Sequence, residues 1–436
     1  MNEVTLINPL TSRKWRLPPL GLLYLASYLE KHDIRVDVLD PLSQGIEDYV
    51  PHSTYVGITC MSGQSKKAKE IAKQVKTKNP ETIIIIGGVH PTVAVEEIQR
   101  DPNIDIIISG EGEKALLKVV KEGIKKGIVR GEAVQILDEL PIPARHLVNM
   151  RWYLKRGGIV FPKWLRATSV ITSRGCPNQC HFCINSKRAM FGKKVRFHSA
   201  DYVENEVEEL VSRYRTEGIF FVDDNFVQNK KRLAEICARI KHFGLKWTCL
   251  SRVDTLNRQV LEEAKKSGCV TIGFGVESGS QNVLNYLNKN ATVEATIKSF
   301  ELCHNVGIKT WATIIVGSPA EKKEDLEFTD KLLRKIKPDY LEVFHLTPYR
   351  GTILYDKCLE EGWMIKENTN WLNSEPQVAI NFTFEELADI RKGLLDRYNP
   401  RRQWVQNNLK NPYFIYDGIV RLLTEPTSFV KWIRNN

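Results

Sequence analysis

Cys176, Cys180 and Cys183 stand in the run Ser173-Arg174-Gly175-Cys176-Pro177-Asn178-Gln179-Cys180-His181-Phe182-Cys183. The spacing is C-x3-C-x2-C on one short segment, with no fourth cysteine near it. A loop this short can set three thiolates around three corners of a [4Fe–4S] cube. The fourth iron is then left without a protein ligand and free to bind a small molecule. Zinc is the competing occupant, but it closes its shell with four ligands, commonly in paired CxxC or CxxH spacing. Only Cys180 and Cys183 are paired in that way. The loop therefore points to one-electron chemistry at an open iron.

Other polar groups recur where strands are expected to end. Val170–Thr172 feeds the cysteine loop, and Ile219–Val222 runs into Asp223-Asp224-Asn225-Phe226. Trp247–Leu250 runs into Ser251-Arg252-Val253-Asp254, and Thr271–Val276, through Gly275, into Glu277-Ser278-Gly279. Thr310–Val316 leads to Gly317-Ser318-Pro319-Ala320-Glu321, and Tyr340–Leu346 to Thr347-Pro348-Tyr349-Arg350-Gly351-Thr352. Parallel βα barrels carry their active sites at the C-terminal strand ends, and the polar residues fall there. Some of these residues have structural competitors for their role. Asp223 and Asp224 suit a capped strand-to-helix turn, Arg252 suits an ion pair with Asp254, and Arg350 suits either a substrate group or a rim salt bridge.

The N-terminal third alternates β-branched runs with helical periods. Val4–Asn8, Arg35–Asp40, Tyr55–Cys60, Thr82–Gly88 and Asp105–Gly110 read as five strands. Several are almost wholly apolar, as parallel strands buried on both faces are. Leu20–Lys31, Lys66–Lys78, Ala94–Arg100 and Lys114–Lys121 read as the helices between and after them. The strand ends carry Asn8-Pro9, Asp40-Pro41, Thr59-Cys60-Met61-Ser62-Gly63, Gly87-Gly88-Val89-His90 and Gly110-Glu111-Gly112-Glu113. Glycines there let a ligand approach the backbone, although each loop taken singly is an ordinary turn. A proline-bearing tether, Leu140-Pro141-Ile142-Pro143-Ala144-Arg145, follows. The expected architecture is α/β throughout. A flavodoxin-like, Rossmann-type domain over 1–130 and a linker over 131–165 precede a partial (β/α)6 barrel over 166–355 and a small, mostly helical extension over 356–436.

The cysteine spacing and its aromatic neighbour Phe182 resemble the radical S-adenosylmethionine (SAM) superfamily. Pro18-Pro19-Leu20-Gly21-Leu22-Leu23-Tyr24-Leu25-Ala26, Gly87-Gly88-Val89-His90-Pro91-Thr92 and Gly110-Glu111-Gly112-Glu113 are similar to the cobalamin-binding domain found ahead of many radical SAM domains. Together they resemble the cobalamin-dependent (class B) radical SAM methyltransferases. The resemblance implies Cys176, Cys180 and Cys183 as cluster ligands. It places Phe182, Asp223, Ser251, Arg252, Gly275, Glu277, Ser278 and Gly317 around SAM, with Glu277 on its ammonium and Arg252 on its carboxylate. Glu277, Arg252 and Tyr349 become the catalytic candidates. Around cobalamin it places Asn8, Pro9, Asp40, Thr59, Cys60, Met61, Ser62, Gly87, Gly88, His90, Gly110, Glu111 and Gly112. No D-x-H-x-x-G stands in the chain, which implies cobalamin bound without a protein histidine on cobalt. The sequence also departs from relatives at Gly317-Ser318-Pro319-Ala320-Glu321-Lys322, where they often read G-x-P-G-E-T, and at Arg350-Gly351-Thr352, where they read P-G-T.

The implied activity is C-methylation of an unactivated carbon: a 5′-deoxyadenosyl radical removes hydrogen and methylcobalamin gives the methyl group. A cobalamin-dependent cyclase or oxidoreductase acting on a lipid or tetrapyrrole shares both domains. A tRNA-modifying enzyme is the reading from another class. The compact build is similar to archaeal enzymes that methylate a glutamine carbon of methyl-coenzyme M reductase, so a polypeptide is the expected substrate. Ferredoxin or flavodoxin is the expected reductant.

Composition sets the surroundings. At 436 residues, 42% hydrophobic and 26% charged, the chain reads as an ordinary globular protein of two or three domains. The formal charge is +11, concentrated among the aromatic residues of 391–436. A basic tail alone, without an RNA-binding module, disfavours nucleic acid. Met1–Leu10 has no basic-then-apolar leader, and no apolar run reaches the roughly 20 residues of a membrane span. The remaining cysteines are scattered, as buried thiols of a reducing cytoplasm would be.

Overall fold

Isoleucine and valine runs that alternate with amphipathic segments leave the strands one way to satisfy their backbones, in parallel ladders covered by helices on both faces. The computed structural model, which describes residues 3–9, 17–44, 52–154, 165–363 and 376–399, contains two such sheets. The first holds β1 (Val4–Ile7), β2 (Val36–Leu39), β3 (Tyr55–Thr59), β4 (Ile83–Gly87), β5 (Ile106–Gly110) and β6 (Gly127–Gly131). Their order is β2-β1-β3-β4-β5-β6, with every pair parallel. The five expected strands are all present, and β6 is an addition. Its Gly-Ile-Val-Arg-Gly run is short, glycine-bounded and largely exposed, so it lacks the apolar period that marks the others. The helix expected over Ala94–Arg100 is present as Val95–Gln99, and a further short helix, Val89–Val93, stands before it where the sequence predicts a strand-end loop.

After the linker come β7 (Ala167–Val170), a two-stranded antiparallel hairpin of β8 (Ser173–Arg174) and β9 (Arg196–Phe197), then β10 (Gly218–Phe221), β11 (Lys246–Ser251), β12 (Cys269–Glu277), β13 (Lys309–Val316) and β14 (Tyr340–His345). The second sheet runs β14-β13-β12-β11-β10-β7, all parallel and in chain order. β7 and β14 remain edges, which makes this an open six-stranded barrel. Alternate residues face opposite ways, as period-two strands require. Ile219 and Phe221 pack outward against the helices, while Phe220 lies with Ala167 and Trp311 in a separate, smaller group. The last helix among the described residues, Phe384–Tyr398, opens on a Thr383/Glu386 capping box and packs along β14. Most of the basic, aromatic tail lies outside the described residues. Tyr398 is within them, and its hydroxyl donates to the Asp330 carboxylate at 2.8 Å.

The linker is pinned rather than loose. Arg145 and Glu206 form an ion pair at 2.5 Å with both side chains fully buried, and Arg145 also donates to the Ser169 carbonyl. Among the described residues no helix is long and apolar enough to cross a membrane.

Candidate functional site

The cysteine loop begins where β8 ends. Gly175 has φ +92, and a Cβ there would sit 3.3 Å from the Lys194 carbonyl oxygen, so glycine is required for the loop to pass under the β9 approach. Within the loop, the Cys183 amide donates to the Cys180 carbonyl and Asn178 donates to Cys176 Sγ at 3.5 Å. The thiols are near enough that each of Cys180 and Cys183 feels the charge of its neighbours. Burial comes first, pushing Cys183 up to about 12. Cys180 is raised as well, again chiefly by burial, with Lys289 and Arg252 opposing. Three thiols in mutual range on one short loop suit the three corners of an iron–sulfur cube.

Beneath the loop, Asp223 accepts hydrogen bonds from the Thr172 amide at 3.1 Å, the Thr172 hydroxyl at 2.8 Å and the Ser173 hydroxyl. It is fully buried, so it fastens the start of the cysteine loop to the end of β10. Asp224 points the other way, exposed, with Asn185 donating to it at 2.7 Å. The capped-turn reading does not describe Asp223, whose hydrogen bonds go to Thr172 and Ser173, while Asn229 caps the helix that follows; Asp224 is its exposed neighbour beside Cys183.

Glu277 closes β12 at φ +63, just after a register shift between Gly275 and Glu277. That kink turns its carboxylate inward to a buried ion pair with Lys289 at 2.5 Å. Gly275 is part of the same device, because a Cβ there would collide with both Glu277 and Lys289. Lys289 also lies 6.0 Å from the Phe182 ring centroid. Sequence reasoning did not single out Lys289. Its signal is the Asn288-Lys289-Asn290 run, whose two asparagines both take φ +50, a conformation asparagine tolerates well. Arg252 is held by Asp254 through two bonds of 3.0 Å and by the carbonyls of Lys289 and Asn290. Its remaining amine, Nη1, lies 3.9 Å from Cys180 Sγ.

Ser251 and Ser278 are buried, and both bond inside the protein, to Thr255 and Thr329 respectively. Gly317 has φ +91, and the space its missing side chain leaves faces Leu387 of the last helix. Tyr349 is half-buried at the mouth, its hydroxyl pKa raised by burial.

In the N-terminal domain the loops divide. Asn8, Pro9 and Asp40 are buried; Asn8 and the Tyr153 hydroxyl both donate to Asp40. Cys60 is also buried and its thiol is pushed up to about 12 by burial. Met61, in contrast, is 44% exposed at the end of β3, with Thr59 and Ser62 partly exposed beside it. His90 is 4% exposed. Its Nδ1 lies 3.3 Å from the Ser62 hydroxyl, and its Nε2 lies 3.5 Å from Glu97, beyond good hydrogen-bond range. Burial holds its pKa below the ordinary histidine value, with Glu97 opposing. Gly87 has room around it. Gly88 and Gly110 have φ near +100 and are crowded by the backbones of Cys60 and Gly131, while Gly112 is crowded by Leu25.

Several contacts among the described residues join the two strand-end faces. Glu111 is only 2% exposed; Arg174 donates to it at 2.8 Å, Arg196 donates through both terminal amines, and Arg174 reaches Glu113 at 2.6 Å. Gly351 has φ +83 and lies so close to Val93 that a Cβ would overlap it. Arg350 pairs with Glu97 at 3.6 Å, so the charge expected at the substrate mouth serves as a rim salt bridge. Glu111, expected at cobalamin, therefore sits in the seam beside the root of the cysteine loop, while Gly112 lies against Leu25 of its own domain. A groove of about 540 Å³ beside linker residues 138–144 holds none of the cysteines.

Comparison with known proteins agrees with this geometry. Residues 170–333 match the radical SAM superfamily and residues 10–120 match the B12 binding domain. An uncharacterized methyltransferase of Pyrococcus horikoshii is 33% identical over 93% of each chain. The cytidylyl-2-hydroxyethylphosphonate methyltransferase of Streptomyces wedmorensis is 26% identical over 93% of each. Among solved structures, the cobalamin-dependent SAM radical enzyme OxsB superposes with a TM-score of 0.70 at 20% identity, covering 99% of this chain and 70% of its own. TsrM from Kitasatospora setae gives 0.66 at 19%, covering 81% and 76%. Fold and loop define a radical SAM enzyme joined to a B12-binding domain. With the Pyrococcus relationship, the chain belongs to the cobalamin-dependent radical SAM methyltransferases, whose cofactors are a [4Fe–4S] cluster, SAM and cobalamin.

Proposed function

We propose that this enzyme methylates an unactivated carbon held between the two strand-end faces, and that the acceptor belongs to a polypeptide. The observation that carries the reaction class is the seam: Glu111 with Arg174 and Arg196, Gly351 against Val93, and Arg350 with Glu97. These turn the β3–β5 loops toward the mouth that holds the cysteines. When bound, the cluster and SAM supply a hydrogen-abstracting radical, and cobalamin supplies the methyl group.

The chain's own residues position and shield. Cys176, Cys180 and Cys183 hold the cluster, and Asp223 fixes the loop that carries them. Glu277 receives the SAM ammonium, which must compete with Lys289 for the same carboxylate. Arg252 is locked by Asp254, and its Nη1 stays beside Cys180, where a positive charge favours thiolate over thiol. Met61 offers an apolar, accessible face at the end of β3 for the corrin, while Cys60 and His90 stay packed behind it. Holding the reacting groups in one closed seam supplies orientation and excludes water.

The polypeptide reading, with the glutamine of methyl-coenzyme M reductase as the example, rests on the resemblance of this domain layout to the archaeal enzymes that methylate that residue. Arg350 lends it no support, being paired with Glu97. The competing outcome is cyclase-type oxidation, favoured by 27% identity with the anaerobic magnesium-protoporphyrin IX monomethyl ester cyclase of Rubrivivax gelatinosus. Anaerobically reconstituted enzyme, supplied with labelled SAM and native-cell protein and metabolite fractions, should place label on protein. Label confined to small molecules removes the polypeptide reading. Substrate turnover with no label transfer removes methylation.

A further inference from the structure

We propose that the outer face of the cysteine loop, centred on Pro177, Gln179, Arg188, Lys193 and Lys194, is the docking surface for an acidic, low-potential one-electron carrier protein. The proposal rests on the assignment of the three cysteines to the cluster. From Gly175 to Ala200 the chain holds five Lys or Arg and no Asp or Glu. The buried Arg196 of this stretch is neutralised by Glu111, and Lys187 pairs with Asp356. Lys193 and Lys194 are exposed and form no ion pair among the described residues.

Position makes the charge informative. Pro177 and Gln179 are the exposed residues between Cys176 and Cys180. Arg188 donates to the Pro177 carbonyl at 3.2 Å from a left-handed backbone, φ +57. The Lys194 carbonyl packs 3.3 Å from where a Gly175 side chain would begin. The basic patch is therefore the outer wall of the loop itself. The inner side of the loop faces Arg252 and Lys289, and Met190 lies against Thr92 of the N-terminal domain. A protein-sized donor thus approaches from outside, where charge complementarity steers encounter. RNA fits this face less well: Phe182, Phe191 and Phe197 are all at least partly covered, which leaves no open aromatic platform for base stacking. The step is a single electron transfer. The carrier is oxidised by one electron, the cluster is reduced by one, and no proton moves.

The test follows cluster bleaching by anaerobic stopped flow in the cluster-loaded enzyme, with reduced flavodoxin as one donor and dithionite as the other. Lys193→Glu/Lys194→Glu should slow reduction by flavodoxin by about 10-fold or more at low salt, within the range electrostatic steering commands, and leave the dithionite rate unchanged. The wild-type flavodoxin rate should fall as salt is added. A flavodoxin rate that is unaltered in the variant, or insensitive to salt in the wild type, overturns the proposal. So does an equal slowing with both donors. If the variant loses binding to RNA while flavodoxin reduction stays intact, the face belongs to a nucleic acid. Failure of dithionite to reduce the wild-type protein overturns the cluster assignment beneath it.

Discussion

Glu111→Gln should loosen the seam between the domains, and the size of the effect follows from its partners. Glu111 accepts from Arg174 at 2.8 Å, from both terminal amines of Arg196, and from the Val134 amide at 3.3 Å. The Glu111, Arg174 and Arg196 side chains are 1%, 9% and 7% exposed, so solvent screening is slight. Removing one partner of a buried ion pair typically costs about 3–5 kcal/mol, because the other charge stays buried and unpaired. Here Arg174 keeps Glu113 at 2.6 Å, and glutamine keeps one acceptor oxygen. The lower end, about 3 kcal/mol, is therefore expected. At roughly 2–4 °C per kcal/mol for a unit of this size, the melting temperature of the cofactor-free protein should drop by about 6–12 °C in calorimetry. Arg196→Met added to Glu111→Gln removes the stranded guanidinium and should return part of that loss. In the loaded enzyme, the ratio of 5′-deoxyadenosine to methylated product should rise, since misaligned faces still cleave SAM. A melting shift no larger than a surface substitution gives, about 0.5 kcal/mol, would refute the clamp. So would a double variant that loses the sum of its two singles.

Four further outcomes are expected. Replacing Cys176, Cys180 and Cys183 with Ala should abolish bound iron and sulfide, measured chemically after anaerobic reconstitution; retained cluster would mean that the loop is misassigned. Glu277→Ala should weaken SAM binding by calorimetry, by up to about 3–5 kcal/mol for a buried ammonium without its carboxylate, with iron content unchanged. Glu321 is buried and its pKa rises from 4.5 to about 7, with burial as the chief cause and the Gly317 amide opposing. The folded state therefore holds the proton more tightly than the unfolded chain, so this contribution is full below pH 4.5 and is lost as pH rises toward 7. Glu321→Gln should flatten that part of the melting-temperature profile, and an unchanged slope would rule the residue out. Turnover should consume two SAM per methyl transferred, giving one S-adenosylhomocysteine and one 5′-deoxyadenosine by chromatography; a single SAM per product would contradict the use of both cofactors.

The sequence by itself determined the elements and the class of chemistry. Parallel strands buried on both faces must be apolar, so Ile83-Ile84-Ile85-Ile86 and its counterparts mark strands wherever they occur, and the polar residues that interrupt them must fall at strand ends. The cysteine spacing is likewise local, because three thiolates on so short a loop have few partners other than an iron–sulfur cube. β6 escaped notice because it is exposed and bounded by glycine, so no burial shaped its pattern.

What only the tertiary structure decided is which polar strand-end residues are open and which are enclosed. Nothing local separates Asp223, which fastens a loop, from Asp224, its exposed neighbour, or the buried Cys60 from the exposed Met61. Glu111 looks like a cofactor-loop residue until Arg174 and Arg196, more than sixty positions away in the chain, close on it. Gly351 looks like a turn until Val93 fills the space beside it. Lys289 had no signature, since its meaning comes from Glu277 and from the kink in β12 that turns that carboxylate inward. A buried charge must find its opposite wherever the fold brings one near, and that pairing is set by how the two domains meet rather than by any run of residues.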